Sequence, residues 1–403
     1  MGSLSPARIA SGLRRRLLRW TGIEPHRIDR RRFVAEAAPM QLPRSSPLKR
    51  TPPRAPEHRQ PGYTDAYDDH SLFYDVFWRD GELVFVGPPL ANLAAETLGA
   101  LRFDGQPTGR LARRLQFNRV DITTFDCPHR PRRVDLDIGG SRLAAHVSED
   151  ESAVFAGTKA LITLSRNNDL RWIEDWVDFY VRAHGVDAVL LYDNGSTAYS
   201  PRDLLRRIAA VPGIRAAVVV AWPFAFGPGE DPTGTMWDSD YCQYAMLEHA
   251  RRRFVRDAAA IFQVDIDELI VTPGGGSVAD LLGQSPAGAL HFPGRWMRYV
   301  DVTGTPAPRL HRSHRHFVDD GNAAAPKWIA IPSRVPDDVQ MGIHDFLGGD
   351  FAPTRIDHPM LRHFRAISTN WKYDRSRPEP FDPDRHLPDA EWIAEMRRIG
   401  WTA

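Results

Sequence analysis

The 403-residue sequence has only two cysteines, Cys127 and Cys242, and contains no long apolar run. Two cysteines do not make a disulfide framework, and so low a number is typical of a protein from a reducing compartment. Because no stretch of about 20 apolar residues occurs, no transmembrane helix is predicted. The N-terminus also lacks the apolar segment of a signal peptide, so we expect a cytoplasmic protein.

The chain has almost no net charge, +1 at pH 7, but its charges are unevenly distributed. Residues 1–60 hold 14 Lys and Arg against four Asp and Glu. Residues 8–20 place apolar side chains on one helical stripe with arginines around it, a pattern that predicts binding to an anionic membrane surface at the inner membrane face. The alternative is a tail that orders only against its own domain or a partner. No zinc or helix-turn-helix pattern follows the basic segment, so no nucleic-acid partner is predicted.

Composition divides the chain into four parts. The Pro- and Arg-rich stretch from Pro39 to Pro61 predicts an extended linker, because this composition cannot build a core. Two strand–turn–strand patterns follow, around Asp80-Gly81 and Gly139-Gly140, and predict a small β-rich domain. We therefore expect a basic arm and linker (1–61), a β-rich domain (62–155), an α/β domain (156–380) and a C-terminal helical tail (381–403).

After residue 158, strand-like and helical segments alternate four times. The strand-like segments are "KALITLS", "VDAVLLYDNGS", "IRAAVVVAW" and "IFQVDIDELIV", and the segments between them have helical spacing. Gly185 is placed to end the first helix, and Ser200 with Pro201 to begin the second. A further helix is expected at about residues 237–255. This alternation predicts an open, mostly parallel α/β sheet flanked by helices.

Polar clusters follow three of these strands: "SRNND", "YDNGS" and "DIDE". In open α/β sheets, ligands bind beyond the carboxyl ends of the strands. Asp265 and Asp267 would share one face of an extended strand, with Glu268 pointing away. Two converging carboxylates repel each other unless a cation joins them, and oxygen ligands favour Mg²⁺ or Mn²⁺. Alone, this motif is weak evidence, because Asp135 and Asp137 form another and a solvated acidic turn is the alternative.

Several longer segments begin, in a defined order, between residues 159 and 372. They are "SRNNDLRWIEDWVDFYVRAHGVD", "LYDNGST", "DYCQYAMLEHARRRF", "DIDEL", "APKWIAIPSRV", "GIHDF" and "LRHFRAISTNWKYDR". In this order they resemble the GT-A glycosyltransferases, most closely the family 92 and family 2-like (DUF23-like) group. The sequence departs from the family pattern at Asn168, where the family has Glu, and at Leu269 in place of Phe. The resemblance implies a GT-A-type fold and inverting transfer of a sugar from a nucleotide-diphosphate donor.

The resemblance also implies roles for individual residues. Asp265 and Asp267 would ligate Mn²⁺ or Mg²⁺, with His344 as a third ligand. The contacts to the donor would come from Arg166, Asn168, Asp193, Asn194, Asp265 and Lys327. An ordinary surface lysine is an equally good interpretation of Lys327. The general base must lie within hydrogen-bond reach of the acceptor hydroxyl. The candidates are Asp301, which we prefer, and Asp319, Asp320 and Asp345.

The expected function is therefore that of a hexosyltransferase of polysaccharide biosynthesis. It would move a sugar from a UDP-linked donor to a hydroxyl of a glycan or lipid-linked glycan acceptor. One alternative is a nucleotidyltransferase, which would need a glycine-rich loop where the sequence has "SRNND". The other is a non-catalytic glycan-binding or scaffold protein with the same fold, which Asn168 favours and the intact acids disfavour.

Overall fold

The computed structural model describes residues 27–229, 238–304, 307–367, 369 and 375–401. Residues 8–20, for which a membrane-binding helix is predicted, lie outside the described residues. The fold is mixed α/β, with a large sheet of 12 strands flanked by helices. Across the described ranges, no helix is both long and apolar enough to cross a membrane.

Residues 27–149 fold mainly into short strands. They are β1 (Arg32–Glu36), β2 (Met40–Gln41), β3 (Ser71–Phe73), β4 (Asp75–Arg79), β5 (Glu82–Gly87), β6 (Leu101–Phe103), β7 (Gln106–Pro107), β8 (Leu111–Phe117), β9 (Val120–Asp126), β10 (Arg133–Ile138), β11 (Ser141–His146) and β12 (Ser148–Glu149). Two helices accompany them, α1 (Tyr63–Ala66) and α2 (Ala94–Ala100). The predicted hairpins are confirmed as β4–β5 and β10–β11, whose turn residues have positive φ.

From residue 159 to residue 282 the described residues form strands and helices in turn, and from residue 289 to residue 388 they form strands with no α-helix between them. The strands from residue 159 onward are β13 (Lys159–Ser165), β14 (Ala188–Asp193), β15 (Ala216–Ala221), β16 (Ala260–Gln263), β17 (Glu268–Val271), β18 (Ala289–Arg298), β19 (Val300–Asp301), β20 (His316–Phe317), β21 (Ala323–Ala330), β22 (Gln340–Met341), β23 (Phe346–Leu347), β24 (Thr354–Arg355), β25 (Met360–Phe364), β26 (Glu379–Pro380) and β27 (Leu387–Pro388). The helices of this part are α3 (Leu170–His184), α4 (Pro201–Ala210), α5 (Tyr241–Arg253), α6 (Val278–Leu282) and α7 (Ala390–Arg398).

The large sheet is parallel on one side and mixed on the other. Five neighbouring strands run parallel in the order β1-β15-β14-β13-β16. β21 is antiparallel to both β16 and β18, whereas β24 and β25 run parallel to β18. Parallel pairings are therefore in a small majority, in agreement with the predicted mostly parallel α/β sheet.

The helix ends follow the signals in the sequence. The Asp169 side chain caps α3, and Gly185 ends it with a φ of 66°. Ser200 and Asp203 form a reciprocal capping box at the start of α4. A side-chain cap is worth about 1 kcal/mol, enough to fix where a helix begins. α5 is shorter than the helix predicted over 237–255, and residue 237 lies outside the described residues.

The segment expected to be an extended linker packs against the folded protein instead. Arg50 is 1% exposed and donates hydrogen bonds to three backbone carbonyls, those of Asp68, Ser71 and Pro89. Arg54 is equally buried and pairs with the buried carboxylate of Asp238. A guanidinium can be buried when its N–H groups find acceptors, and such acceptors are not visible in composition.

A buried polar cluster joins β4 to α5. The Nε2–H of His249 donates to Asp75 Oδ2 over 2.7 Å, and the Arg253 guanidinium donates to the same oxygen over 2.8 Å. Tyr192 donates its hydroxyl hydrogen to His249 Nδ1 over 2.8 Å. Burial would raise the pKa of Asp75, but the charge of Arg253 and the His249 hydrogen bond outweigh it, so this pKa is lowered. One continuous apolar core also extends across this junction.

Candidate active site

A cleft of about 840 Å³ lies at the carboxyl ends of β13, β14 and β16. These strands are parallel, so the loops that follow them meet at one edge of the sheet. Each of the three polar clusters found in the sequence contributes to the cleft wall. The predicted site residues that line it are Arg166, Asn168, Asn194, Asp265 and Asp267.

Asp265 and Asp267 lie in a turn between β16 and β17, not on an extended strand. This turn, residues 265–268, is called here the acid turn. The Asp265 N–H donates to Glu268 Oε2 over 2.8 Å, and the Glu268 N–H donates to the Asp265 carbonyl over 3.0 Å. Glu268 therefore turns back towards Asp265, so the prediction that it points away is wrong. The alternation rule on which that prediction relied holds only for extended backbone. Burial raises the pKa of Glu268 to about 7, while Lys327 acts in the opposite sense.

Lys327, on β21, supplies positive charge to this turn. Its Nζ lies 2.7 Å from Asp265 Oδ2 and 3.3 Å from Glu268 Oε2, and its side chain is fully buried. Burial alone would lower the pKa of Lys327 and raise the pKa of Asp265. The attraction between their charges outweighs burial, so the pKa of Lys327 is raised and that of Asp265 is lowered. Lys327 is therefore not a surface lysine, and its ammonium is held by carboxylates behind the cleft wall.

His363, on β25, contacts the other acid of the motif and lines the cleft. Its Nε2–H donates to Asp267 Oδ2 over 3.0 Å, and its Nδ1 lies 3.5 Å from Glu268 Oε1. Burial would lower the pKa of His363, but the charge of Asp267 and its hydrogen bond outweigh it, so this pKa is raised. The sequence assigned no role to His363. Its position in the "LRHFR" segment was the only indication of a role in the sequence. Its pairing opposite Glu268 depends on how distant strands pair in the sheet.

His344, the predicted third metal ligand, lies beyond β22. Its Nδ1–H donates to the Pro326 carbonyl over 3.1 Å, which leaves Nε2 unprotonated in the neutral ring. Its pKa is lowered to about 4, first because the surrounding protein reduces the hydration of the ring and then because of the Lys327 charge. The charge of Asp265 also acts on the ring. His344 is thus a neutral imidazole near the acid turn at pH 7, although it is not part of the cleft lining.

The side chains of the acid turn are chemically suited to bind a divalent ion. Within the described ranges, no group of three or more His, Cys, Asp or Glu side chains is arranged to hold a metal ion. Lys327 and His363 each engage an Oδ2 atom, so neither ion pair uses Oδ1. Oδ1 of Asp265 accepts a long hydrogen bond, 3.4 Å, from the Thr163 hydroxyl, which a cation could replace. Mg²⁺ and similar ions commonly reach a protein through one or two carboxylates, with substrate phosphates completing the shell. The pair therefore suits an ion that arrives with a phosphate-bearing substrate, and a third protein ligand stays a prediction.

The cleft lining also includes arginines and aromatic rings. The arginines are Arg166, Arg309 and Arg375. The guanidinium of Arg309 lies 5.4 Å from the centroid of the Trp172 ring, another lining residue. Tyr199 and Phe226 add further aromatic surface. The cleft thus combines two carboxylates, three guanidinium groups and flat apolar faces.

Asn167 hydrogen-bonds two of the cleft loops to each other, and no role was predicted for it. Its backbone takes a positive φ of 55°, which Asn tolerates better than most residues. Its Oδ1 accepts hydrogen bonds from the N–H groups of Thr197, over 2.7 Å, and of Ala198, over 3.0 Å. This side chain therefore helps to hold the loops after β13 and β14 together, beside the hydrogen bond from the Asn167 N–H to the Ser196 hydroxyl over 2.9 Å.

The three remaining polar residues predicted near the donor have mainly internal partners. Asp193 is buried, does not line the cleft, and has a pKa raised by burial. Asn194 donates to two backbone carbonyls of the loop after β15, over 2.9 and 2.8 Å. Asn168 donates to the Ser165 hydroxyl over 2.9 Å. Asn168 and Asn194 still present part of their surface to the cleft.

The four carboxylates predicted to include the general base, Asp301, Asp319, Asp320 and Asp345, do not line the cleft. Asp301, on β19, accepts a hydrogen bond from the Thr303 N–H over 3.1 Å. Asp345 pairs with Arg355 over 2.6 Å and accepts from the Phe346 N–H over 2.9 Å. Neither is brought together with the acid turn in this structure.

Comparison of the chain with protein-family models, with curated proteins and with solved structures finds no match. What the cleft does is therefore inferred from its own chemistry.

Proposed function

We propose that the protein is a metal-dependent glycosyltransferase of the GT-A type. It takes a sugar from a nucleoside-diphosphate donor, a UDP-sugar, and transfers it with inversion to a hydroxyl of a glycan or lipid-linked glycan. The observation that carries the proposal is the meeting of Asp265 and Asp267 with Arg166, Arg309 and Arg375 in one cleft. Carboxylates complement a cation and guanidinium groups complement phosphate, so the wall matches a cation–diphosphate pair.

The residues around the acids hold them in place for this task. Lys327 binds Asp265 and His363 binds Asp267, so both carboxylates are oriented before a ligand arrives. When bound, Mn²⁺ or Mg²⁺ supplies positive charge that stabilises the departing diphosphate. The rings of Trp172 and Tyr199 offer flat faces to the base or the sugar.

In the transfer, the bond between the anomeric carbon and the phosphate oxygen breaks and a bond from the acceptor oxygen forms. The acceptor proton passes to a base. We assign no residue to this step, because the four candidate carboxylates lie outside the cleft lining.

The test is calorimetric titration of UDP into the full chain, with and without Mn²⁺, for the wild type and Asp267→Ala. The matched control is Asp137→Ala, which changes an exposed residue of the second Asp-x-Asp motif, on the β10–β11 hairpin. We expect UDP binding that needs the metal, is at least about tenfold weaker in Asp267→Ala, and is unchanged in the control. Equal binding by wild type and Asp267→Ala would refute the proposal.

A second measurement separates the alternatives. Incubation with a panel of UDP-sugars and Mn²⁺ should release UDP by slow transfer of the sugar to water. A nucleotidyltransferase would instead release diphosphate from a nucleoside triphosphate, and a scaffold protein would release neither.

A further inference from the structure

The ammonium group of Lys327 lies between two carboxylates at different depths. Its Nζ is 2.7 Å from Asp265 Oδ2 and 3.3 Å from Glu268 Oε2. The side chain of Asp265 is 31% exposed and lines the cleft, whereas that of Glu268 is 1% exposed and does not line it. One carboxylate is therefore accessible to a ligand in the cleft, and the other lies beside the ammonium in the protein interior.

The backbone of the acid turn fixes the orientation of Glu268. The Asp265 N–H donates to Glu268 Oε2 over 2.8 Å, and the Glu268 N–H donates to the Asp265 carbonyl over 3.0 Å. The same Oε2 atom faces the ammonium of Lys327. Because a charge-assisted N–H···O bond is about 2.8 Å long, the ammonium would move by only about half an ångström to bind Glu268 fully.

A divalent ion at Asp265 would change the charge balance of the acid turn. The single negative charge of Asp265 cannot neutralise both the Lys327 ammonium and a metal ion. The two cations would repel each other, and water screens such repulsion little in the protein interior. The three carboxylates of the acid turn, however, carry as much charge as one ammonium and one divalent ion together, when His363 is neutral.

We infer that Glu268 takes over the Lys327 ammonium when Asp265 binds the divalent ion, which makes Glu268 a positioning residue of the metal site. This inference rests on the proposed function, because the metal ion is part of it. A buried ammonium left without a charged partner is strongly unfavourable. Without Glu268, the lysine would therefore stay on Asp265 and oppose the binding of the metal.

The test compares the dissociation constants for Mn²⁺ of the wild type, Glu268→Gln, Lys327→Met and the double variant, each as the full chain. The constants are obtained from the electron paramagnetic resonance signal of free Mn²⁺ without nucleotide, and from the Mn²⁺ dependence of calorimetric UDP binding. The pH is 8, because burial raises the pKa of Glu268 to about 7 and its carboxylate must be charged. Gln keeps the shape of Glu and can still accept the hydrogen bond from the Asp265 N–H.

Glu268→Gln should weaken Mn²⁺ binding at least about tenfold, because Asp265 alone then neutralises the lysine. In the Lys327→Met background no ammonium needs a partner, so the same change should weaken binding less than about threefold. The matched control is Glu82→Gln on β5, which removes a carboxylate whose ion pair with Arg79 is long, at 3.9 Å. The control should leave Mn²⁺ binding unchanged.

A second measurement does not depend on any variant. In a crystal structure of the wild type with Mn²⁺ bound, Lys327 Nζ should lie closer to Glu268 Oε2 than to Asp265 Oδ2. If it keeps the order found here, 2.7 Å to Asp265 and 3.3 Å to Glu268, the inference is overturned.

The outcomes of the binding experiment are distinct. Equal weakening by Glu268→Gln in the wild-type and Lys327→Met backgrounds overturns the inference, because a direct effect of charge on the metal does not depend on the lysine. Unchanged Mn²⁺ binding by Glu268→Gln also overturns it. If the wild type binds Mn²⁺ but not UDP, the proposed function fails, while the four dissociation constants still decide the inference. If the wild type shows no Mn²⁺ binding in either measurement, both fail.

Discussion

Replacing Lys327 by Met tests whether the acid turn depends on an internal cation. Met has a similar length and no charge, so the variant keeps the packing but leaves two carboxylates without their ammonium group. The side chains of Lys327 and Glu268 are 0% and 1% exposed, and that of Asp265 is 31% exposed. Breaking a buried ion pair by removing one partner costs about 3–5 kcal/mol. The partial exposure of Asp265 places the expected loss near the lower end, at about 3 kcal/mol.

The assay is urea unfolding in EDTA, with the free energy of unfolding obtained by linear extrapolation. The set comprises wild type, Lys327→Met, Glu268→Gln and the double variant. Glu268→Gln removes the buried charge that the ammonium neutralises, so the two changes together should cost less than the sum of their separate effects, by about 1–3 kcal/mol. Lys159→Met is the control, because Lys159 is 34% exposed and its contact with Asp280 is long, at 4.0 Å. It should change the free energy of unfolding by less than about 0.5 kcal/mol.

The metal gives the experiment a second arm. The Lys327 ammonium repels a cation at Asp265, so Mn²⁺ should stabilise Lys327→Met more than it stabilises the wild type. The reasoning is refuted if Lys327→Met matches the wild type in EDTA, or if the two changes are simply additive. Either result would mean that the buried contact contributes no charge compensation.

Two further predictions concern histidines. Burial lowers the pKa to about 4 in three of them, His184, His311 and His314. An unfolded histidine has a pKa near 6.5, so between pH 6.5 and pH 4 the unfolded chain binds more protons than the folded chain. The free energy of unfolding should therefore fall as the pH is lowered, by up to about 1.4 kcal/mol per pH unit for each histidine. Urea unfolding from pH 7 to pH 5 measures how steeply the free energy of unfolding depends on pH. His184→Gln should reduce this slope, whereas His58→Gln, at an exposed position, should not. A free energy of unfolding that does not change with pH would contradict the lowered pKa of these histidines. His344→Gln should weaken UDP binding about tenfold with Mn²⁺ and far less with Mg²⁺, because imidazole suits Mn²⁺ better; an unchanged Mn²⁺-to-Mg²⁺ ratio would exclude His344 as a ligand.

Local features of the fold could be predicted because they are encoded over a few residues. The strand Lys159–Ser165, the end of α3 at Gly185 and the start of α4 at Ser200 each follow from neighbouring residues. The convergence of the polar clusters followed from one general property of parallel sheets, that the carboxyl ends of adjacent strands share an edge.

Long-range features could not be predicted in this way. His363 meets Asp267 because β25 pairs with β17, and Lys327 meets Asp265 because β21 pairs with β16. No local pattern encodes either pairing. Asp301 was preferred as the base for its position along the chain alone, and the structure places it on a short strand that does not line the cleft.

β1 determines how far the chain can be shortened. This strand comes from the basic N-terminal region, yet it pairs in parallel with all five of its residues along β15. A protein that began at residue 62, the predicted start of the β-rich domain, would leave the backbone of β15 bare beside a row of valines. A long apolar edge of this kind recruits strands from other molecules. Shortening the chain to its apparent domains would therefore expose an apolar sheet edge that can pair with other molecules.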